Sequence, residues 1–297
     1  MSVNTKKSYD YGVRPAGYRL PEETRLGRVT LAVSDLARSA AWYARVLGLT
    51  PVSRDALHAV LGDLSGNPLV ELREETGARP APRHGRLGLY HFAVLVPDRA
   101  SLGRFVAHLA ATGTRAGMSD HLVSEAIYLN DPDGLGIEVY ADRPRDTWSS
   151  HGSELVMATN PLDVEDLLRA AGNEVWQGMP AGTQVGHVHL HVGDLQGASD
   201  FYHQALGMDA VVRGYPGALF LSAGGYHHHL GTNTWAGNAP SAVAGEARLL
   251  EWEVVLPDET DVASASESLR AAGHVVDRGV VRDPWGTALR IVAGNAK

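Results

Sequence analysis

The chemistry open to this chain is concentrated in its histidines. There are fourteen, and no cysteine, so disulfide and thiolate chemistry are excluded and any soft metal would have to be held by imidazole. One stretch, His121 to Glu138, reads HLVSEAIYLNDPDGLGIE. Pro132 fixes φ and Gly134 tolerates a positive φ, so DPDG reads as a tight turn whose flanking strands bring Tyr128 and Glu138 together. Taken alone, a tyrosine beside a carboxylate is as readily ordinary hairpin surface as a site. His187, His189 and His191 share one face of a strand by its period of two. In the run His227, His228, His229 the same alternation turns the middle residue opposite to its neighbours. His91 stands in an apolar strand, YHFAVLV, where a hydrogen-bonded core histidine is the ordinary reading.

Composition narrows the partners. The 297 residues suffice for two domains with sizeable cores, and 44% hydrophobic with 20% charged residues is the balance of a soluble globular protein. The net charge of −8, without any Lys/Arg cluster, leaves no electrostatic footprint for nucleic acid. No apolar run approaches the roughly 20 residues of a membrane span, and MSVNTKKSYDYGVRP lacks the apolar centre of a signal peptide. The expectation is a cytoplasmic protein with neither nucleic-acid nor membrane partners.

An internal repeat supplies the elements that must position these residues. LGRVTLAVSDLARSAAWYARVLGLTPV (Leu26 to Val52) and VGHVHLHVGDLQGASDFYHQALGMDAV (Val185 to Val211) match offset by offset. Each reads as a strand, a helix capped by Asp35 or Asp194, and a stop at Gly48 or Gly207. Two further units open LGLYHFAVLVPD and LLEWEVVLPDE and close on DPDGLGIEVY and DPWGTALRIV. The chain therefore divides into a 1–25 N-terminal arm, βαβββ units at 26–77 and 87–142, a 143–184 linker with a helix at PLDVEDLLRAAG, and units at 185–235 and 249–297.

Four βαβββ units with Asp-Leu helix starts and DPxG closing strands resemble the vicinal oxygen chelate superfamily of glyoxalases, bleomycin-resistance proteins and extradiol dioxygenases, most nearly the catechol 2,3-dioxygenases. The resemblance runs from Leu26 onward and implies an α+β fold in which modules pair into two cupped mixed sheets. It places a first-strand ligand seven residues before the helix-start Asp, at Arg28, His91, His187 and Glu251. Last-strand ligands fall at Glu71, Glu138, around His228, and at Arg290. The His121 to Glu138 stretch also resembles the extradiol signature, departing from it at Ser119, and YHHHLG resembles the strand carrying the acid-base histidine, pointing to His228.

Charge suggests how the units pair. Consecutive pairing would aim one guanidinium at each metal position, and arginine has no lone pair to give and opposes a divalent cation. Nested pairing, second with third and first with fourth, gathers His91, Glu138, His187 and His228 in one cup and Arg28, Glu71, Glu251 and Arg290 in the other, where salt bridges compensate each charge. The resemblance then implies a ligand set of His91, Glu138 and His187 for Fe(II), with Mn(II) as the alternative metal. It assigns His228, Tyr128 and His121 to catalysis and His189 and His229 to substrate binding. Two neutral imidazoles and one carboxylate leave three adjacent positions free, two for a catechol and one for O2. Trp235 and Trp252 read as pocket walls or as core. A homo-oligomer is expected. The rival readings are a glyoxalase-like isomerase, normally with two glutamates, and a metal-free binding protein of the bleomycin-resistance type.

Overall fold

The computed structural model describes residues 9–82 and 85–294, and these form two curled mixed sheets with few helices. In the eight-stranded inner sheet, the third unit contributes Asp209–Val212, Ala218–Ser222, Leu230–Asn233 and Gln184–His191. The second unit continues it with Gly88–Leu95, Gly136–Asp142, Ser124–Asn130 and Gly117–Asp120. The seven-stranded outer sheet runs Val280–Arg282, Ala288–Ala293, Arg248–Leu256, Arg25–Val33, Pro68–Glu74, His58–Gly62 and Thr50–Arg54. The second unit thus shares a sheet with the third, and the first with the fourth. Both seams are antiparallel: His91 pairs with His189, and Thr30 with Glu251.

The outer sheet holds the two arginines at first- and last-strand ligand positions, and carboxylates meet both. Arg290 reaches Glu251 through two contacts of 2.6 and 2.9 Å. Arg28 lies 3.4 Å from Glu71 and 3.2 Å from Glu253, and Arg73 lies 2.6 Å from Glu71. These pairs are partly exposed, so their contribution to stability is modest. Their consequence is chemical: among the described residues this cup gathers no cluster of metal-binding side chains, its carboxylates being taken by arginines.

The helix starts follow their capping residues. Asp35, Asp98, Asp194 and Asp258 each accept from backbone N–H groups two or three residues on. In the first and third units the short helix gives way to a wider π-type turn, Tyr43–Leu47 and Ser199–Ala205. Those turns bury Tyr43 and Tyr202, whose hydroxyls donate to Asp131 (3.3 Å) and Asp283 (2.9 Å), the first residues of the two DPxG turns. Asp133, fully buried, accepts from Ser34 N at 2.7 Å and Ser34 Oγ at 2.6 Å and also meets Arg38. Each closing turn therefore fastens one sheet to a helix lying on the other.

The fourth unit differs from the βαβββ expectation. After its helix Glu259–Ala271, only a bridge between Asp277 and Val280 precedes Val280–Arg282, so among the described residues it has three strands. Arg278 (φ 47) and Gly279 (φ 77) reverse the chain too tightly for a further strand.

The linker helix Val164–Ala171 is capped by Asp163 and lies against Arg99–Ala111. Glycine at 103 allows that approach, because a Cβ there would stand 2.4 Å from Leu167 O. Within the arm, Val13 bridges to Ala210, Leu20 N donates to Gly207 O, and Tyr11 Oη donates to Gly225 O, so residues 9–25 pack along the third unit. Residues 1–8 of the arm lie outside the described residues. Among the described residues no helix is long and apolar enough to cross a membrane.

Candidate metal centre and its pocket

Register brings the metal-binding types together. Glu138 sits opposite Tyr128 across the DPDG hairpin and beside Ala93 in the parallel pairing, while Ala93 faces His187 across the seam. The three strands therefore set Glu138, His187 and His91 around one point on the concave face. His91 Nε2 is 3.0 Å and His187 Nε2 3.1 Å from Glu138 Oε2. None of the three is more than 5% exposed.

This donor set fits a divalent cation. His187 hydrogen-bonds Glu138, but His91 Nε2 is misaligned and left without a partner, as is His187 Nδ1. A buried polar atom left unpaired costs on the order of 1–3 kcal/mol, and an ion accepting the His91 lone pair removes that cost. Protonation states suit ligation. Burial pushes the His187 imidazole down to about 4 against the pull of Glu138. Burial raises the Glu138 carboxyl, but the His187 and His91 imidazoles outweigh it and hold the group well below the usual carboxylate range. A neutral His187 imidazole facing a carboxylate is the form that binds metal.

A cavity of about 240 Å³ opens beside this point. Ligand pockets for drug-sized molecules span roughly 300–1,000 Å³, so this one suits a single ring. Tyr128, His121, His189 and His228 line it, and Glu138 is the acidic side chain among its lining residues. His121 Nδ1 lies 2.7 Å from Ala158 O, which can only accept; Nδ1–H therefore donates, and Nε2 accepts the Tyr128 hydroxyl at 2.6 Å. Burial, reinforced by Glu138, raises the Tyr128 phenol well above its ordinary value, so it enters this contact as O–H. His189 Nε2 meets Asn233 Nδ2 at 2.9 Å, and Gly231 makes room for its ring, since a Cβ there would lie 2.9 Å from His189 Cγ.

Two expectations need correction. His229 lies outside this pocket: it accepts from Ala223 N at 3.2 Å and borders a separate cavity. His227 and His228 do not point to opposite sides. The strand begins only at Leu230, so period-two alternation does not govern them, and their Nδ1 atoms are 2.7 Å apart. Trp252 is fully buried core, whereas Trp235 does wall the pocket. The sequence reading missed Met157, Ala158 and Thr159, which the linker lays across the mouth, with Thr159 Oγ1 3.0 Å from Tyr215 Oη. It also missed Tyr90, Tyr215 and Phe220, which carry no spacing signal.

Buried histidines give the fold an acid limb. Burial depresses His229 to about 3, so the unfolded chain takes up a proton as pH falls through about 6.5 while the folded chain does not. Stability contributed by this group is complete above pH 6.5 and declines toward pH 3. Urea unfolding at pH 7 and 4.5 should show the loss, and His229→Gln should flatten it; equal slopes in both proteins would rule this out.

Comparison with known proteins adds to the geometry. The family model of the Glyoxalase/Bleomycin resistance protein/Dioxygenase superfamily matches residues 25–139 and 184–293. The chain is 43% identical over 260 residues to a catechol-2,3-dioxygenase of Bacillus subtilis (strain 168), covering 86% of this chain and 91% of that protein. Among solved structures, a protein of Bacillus subtilis subsp. subtilis str. 168 with a provisional dioxygenase name superposes with a TM-score of 0.66 at 14% identity, covering 94% of this chain and 87% of that one. Glyoxalase I from Zea mays gives a TM-score of 0.54 at 18% identity over 91% of this chain and 92% of that one.

Proposed function

The chain belongs to the Glyoxalase/Bleomycin resistance protein/Dioxygenase superfamily, and from that premise we propose that it is an Fe(II) enzyme that opens a catechol ring with O2 beside the vicinal diol, giving a muconic semialdehyde. That it is an enzyme of the extradiol dioxygenase type follows from its 43% identity to the Bacillus relative over most of both chains. The observation carrying the finer reading is the convergence of His91, His187 and Glu138 at the floor of a one-ring cavity. Two imidazoles and one carboxylate are the donor set of non-haem Fe(II) oxygenases, and Mn(II) accepts the same donors.

When bound, the metal would lower the pKa of a catechol hydroxyl and provide the redox centre for O2. The protein does the rest. Tyr128, oriented by His121, meets the diol oxygens and fixes the plane of the ring. His228, beside His187 with ring centroids 4.1 Å apart, takes the second hydroxyl proton. His189, Phe220, Tyr90 and Trp235 wall the ring, and Met157 to Thr159 limit access of water.

The test is oxygen consumption by the full-length protein loaded with Fe(II), using catechol as substrate. Uptake of one O2 per catechol is expected, with loss on treatment with a chelator and return on adding Fe(II). Turnover of methylglyoxal with a thiol, and no oxygen uptake, would overturn the proposal in favour of a glyoxalase-type isomerase.

A further inference from the structure

A chain of buried polar groups leads from the pocket to another cavity. His228 Nδ1 lies 2.7 Å from His227 Nδ1, and His227 Nε2 lies 2.9 Å from Asp142 Oδ1. His227 is fully buried, and the Asp142 side chain is 27% exposed, bordering a cavity of about 250 Å³. Tyr226 Oη donates to Asp142 Oδ1 at 3.2 Å and in turn lies 2.6 Å from Tyr140 Oη. The Tyr226 and Trp148 rings, with centroids 4.1 and 5.4 Å away, hold the His227 ring in place.

Donor and acceptor rules give this chain a direction. A carboxylate can only accept, so His227 presents Nε2–H to Asp142. Where His227 carries that single N–H, its Nδ1 is a lone pair. The 2.7 Å contact then requires His228 to donate Nδ1–H. Its Nε2 is the nitrogen left with a lone pair.

We propose that Asp142 and His227 are positioning residues that hold His228 in the tautomer whose Nε2 lone pair serves the substrate pocket. The use made of that lone pair rests on the dioxygenase reading; the tautomer does not. As the diol O–H bond breaks, the proton joins His228 Nε2 and its electron pair stays on the substrate oxygen. The new imidazolium keeps its Nδ1–H on His227, whose own N–H faces the Asp142 carboxylate. Charge formed in a buried place is thereby shared along two hydrogen bonds.

Two substitutions separate this role from packing. His227→Phe keeps a ring and removes the acceptor, whereas His227→Gln keeps an amide oxygen for His228 and an amide N–H for Asp142. With Fe(II) and catechol, the Phe variant should lose about a hundredfold in kcat with KM within about twofold, and the Gln variant should recover at least about tenfold of that loss. A packing role gives the reverse order. Histidine ¹⁵N NMR of the full-length chain stripped of metal should show His228 protonated at Nδ1, and a tautomer mixture in the Phe variant. A Phe variant as active as the Gln variant, or Nε2–H on His228 in the parent protein, would overturn the proposal. If the parent protein does not turn over catechol, the dioxygenase reading fails while the spectrum still decides the tautomer.

Discussion

Replacing Glu138 by Gln is expected to abolish ring cleavage while leaving the protein folded. The amide has nearly the shape of the carboxylate, so strand Gly136–Asp142 and its neighbours keep their register. What changes is the centre: the sole anionic donor becomes a neutral group, and its NH2 is a donor where His91 and His187 already aim their Nε2 atoms. Removing residues that merely support a metal ligand costs about 10- to 100-fold in affinity, so losing a ligand should cost at least that. Activity at fixed Fe(II) should fall on the order of a thousandfold, about 4 kcal/mol of barrier. A metal that binds only the folded state raises the melting temperature, and the variant should lose the rise expected when Fe(II) is added to the parent protein. Metal analysis after dialysis, thermal melts with and without Fe(II), and oxygen uptake measure the three effects. A Gln variant that retains one equivalent of metal would show that Glu138 is no ligand.

The second large effect is structural and lies in the closing turn. Asp133 is fully buried, and its carboxylate takes Ser34 N, Ser34 Oγ and Arg38 from the other sheet. Asp133→Ala strands the Ser34 N–H and leaves Arg38, itself 45% exposed, to return to water. A loss of about 2–4 kcal/mol is expected, the sum of one partly buried donor left without its partner and broken charge-assisted bonds. For a chain of this size that corresponds to a fall in melting temperature of roughly 3–6 °C. Because the turn ends two residues before the strand carrying Glu138, Fe(II) affinity should weaken in parallel. A variant that melts within about a degree of the parent would show that the two sheets do not depend on this junction.

Much of this was legible in the residues because it rests on short-range rules. Period-two alternation set His187 and His189 on one face, an Asp before each helix marked its start, and DPDG opposed Tyr128 to Glu138. Even the sharing of sheets followed from placing two arginines where a cation could not tolerate them. What was not legible depends on chain that has left regular structure. The residues before Leu230 form no strand, so alternation misplaced His227 relative to His228, while the placing of His229 in the pocket came from the resemblance and not from alternation. The linker's Met157 to Thr159 obey no periodicity; the bridge between Asp120 and Asn160 and the contacts of Ala158 O with His121 and Thr159 with Tyr215 bring them to the pocket. The missing strand of the fourth unit was lost to a left-handed pair, Arg278 and Gly279, that the sequence does not announce.

The sharing of the outer sheet between first and last units has a consequence during synthesis. Arg25–Val33 pairs along one edge with Arg248–Leu256, so that edge has no partner until the ribosome has added more than two hundred further residues. At roughly 5–20 residues per second the wait is on the order of ten to forty seconds. Throughout it, a row of free N–H and C=O groups on a largely apolar strand is open to any other nascent chain. The inner sheet, whose halves leave the ribosome in succession, closes well before.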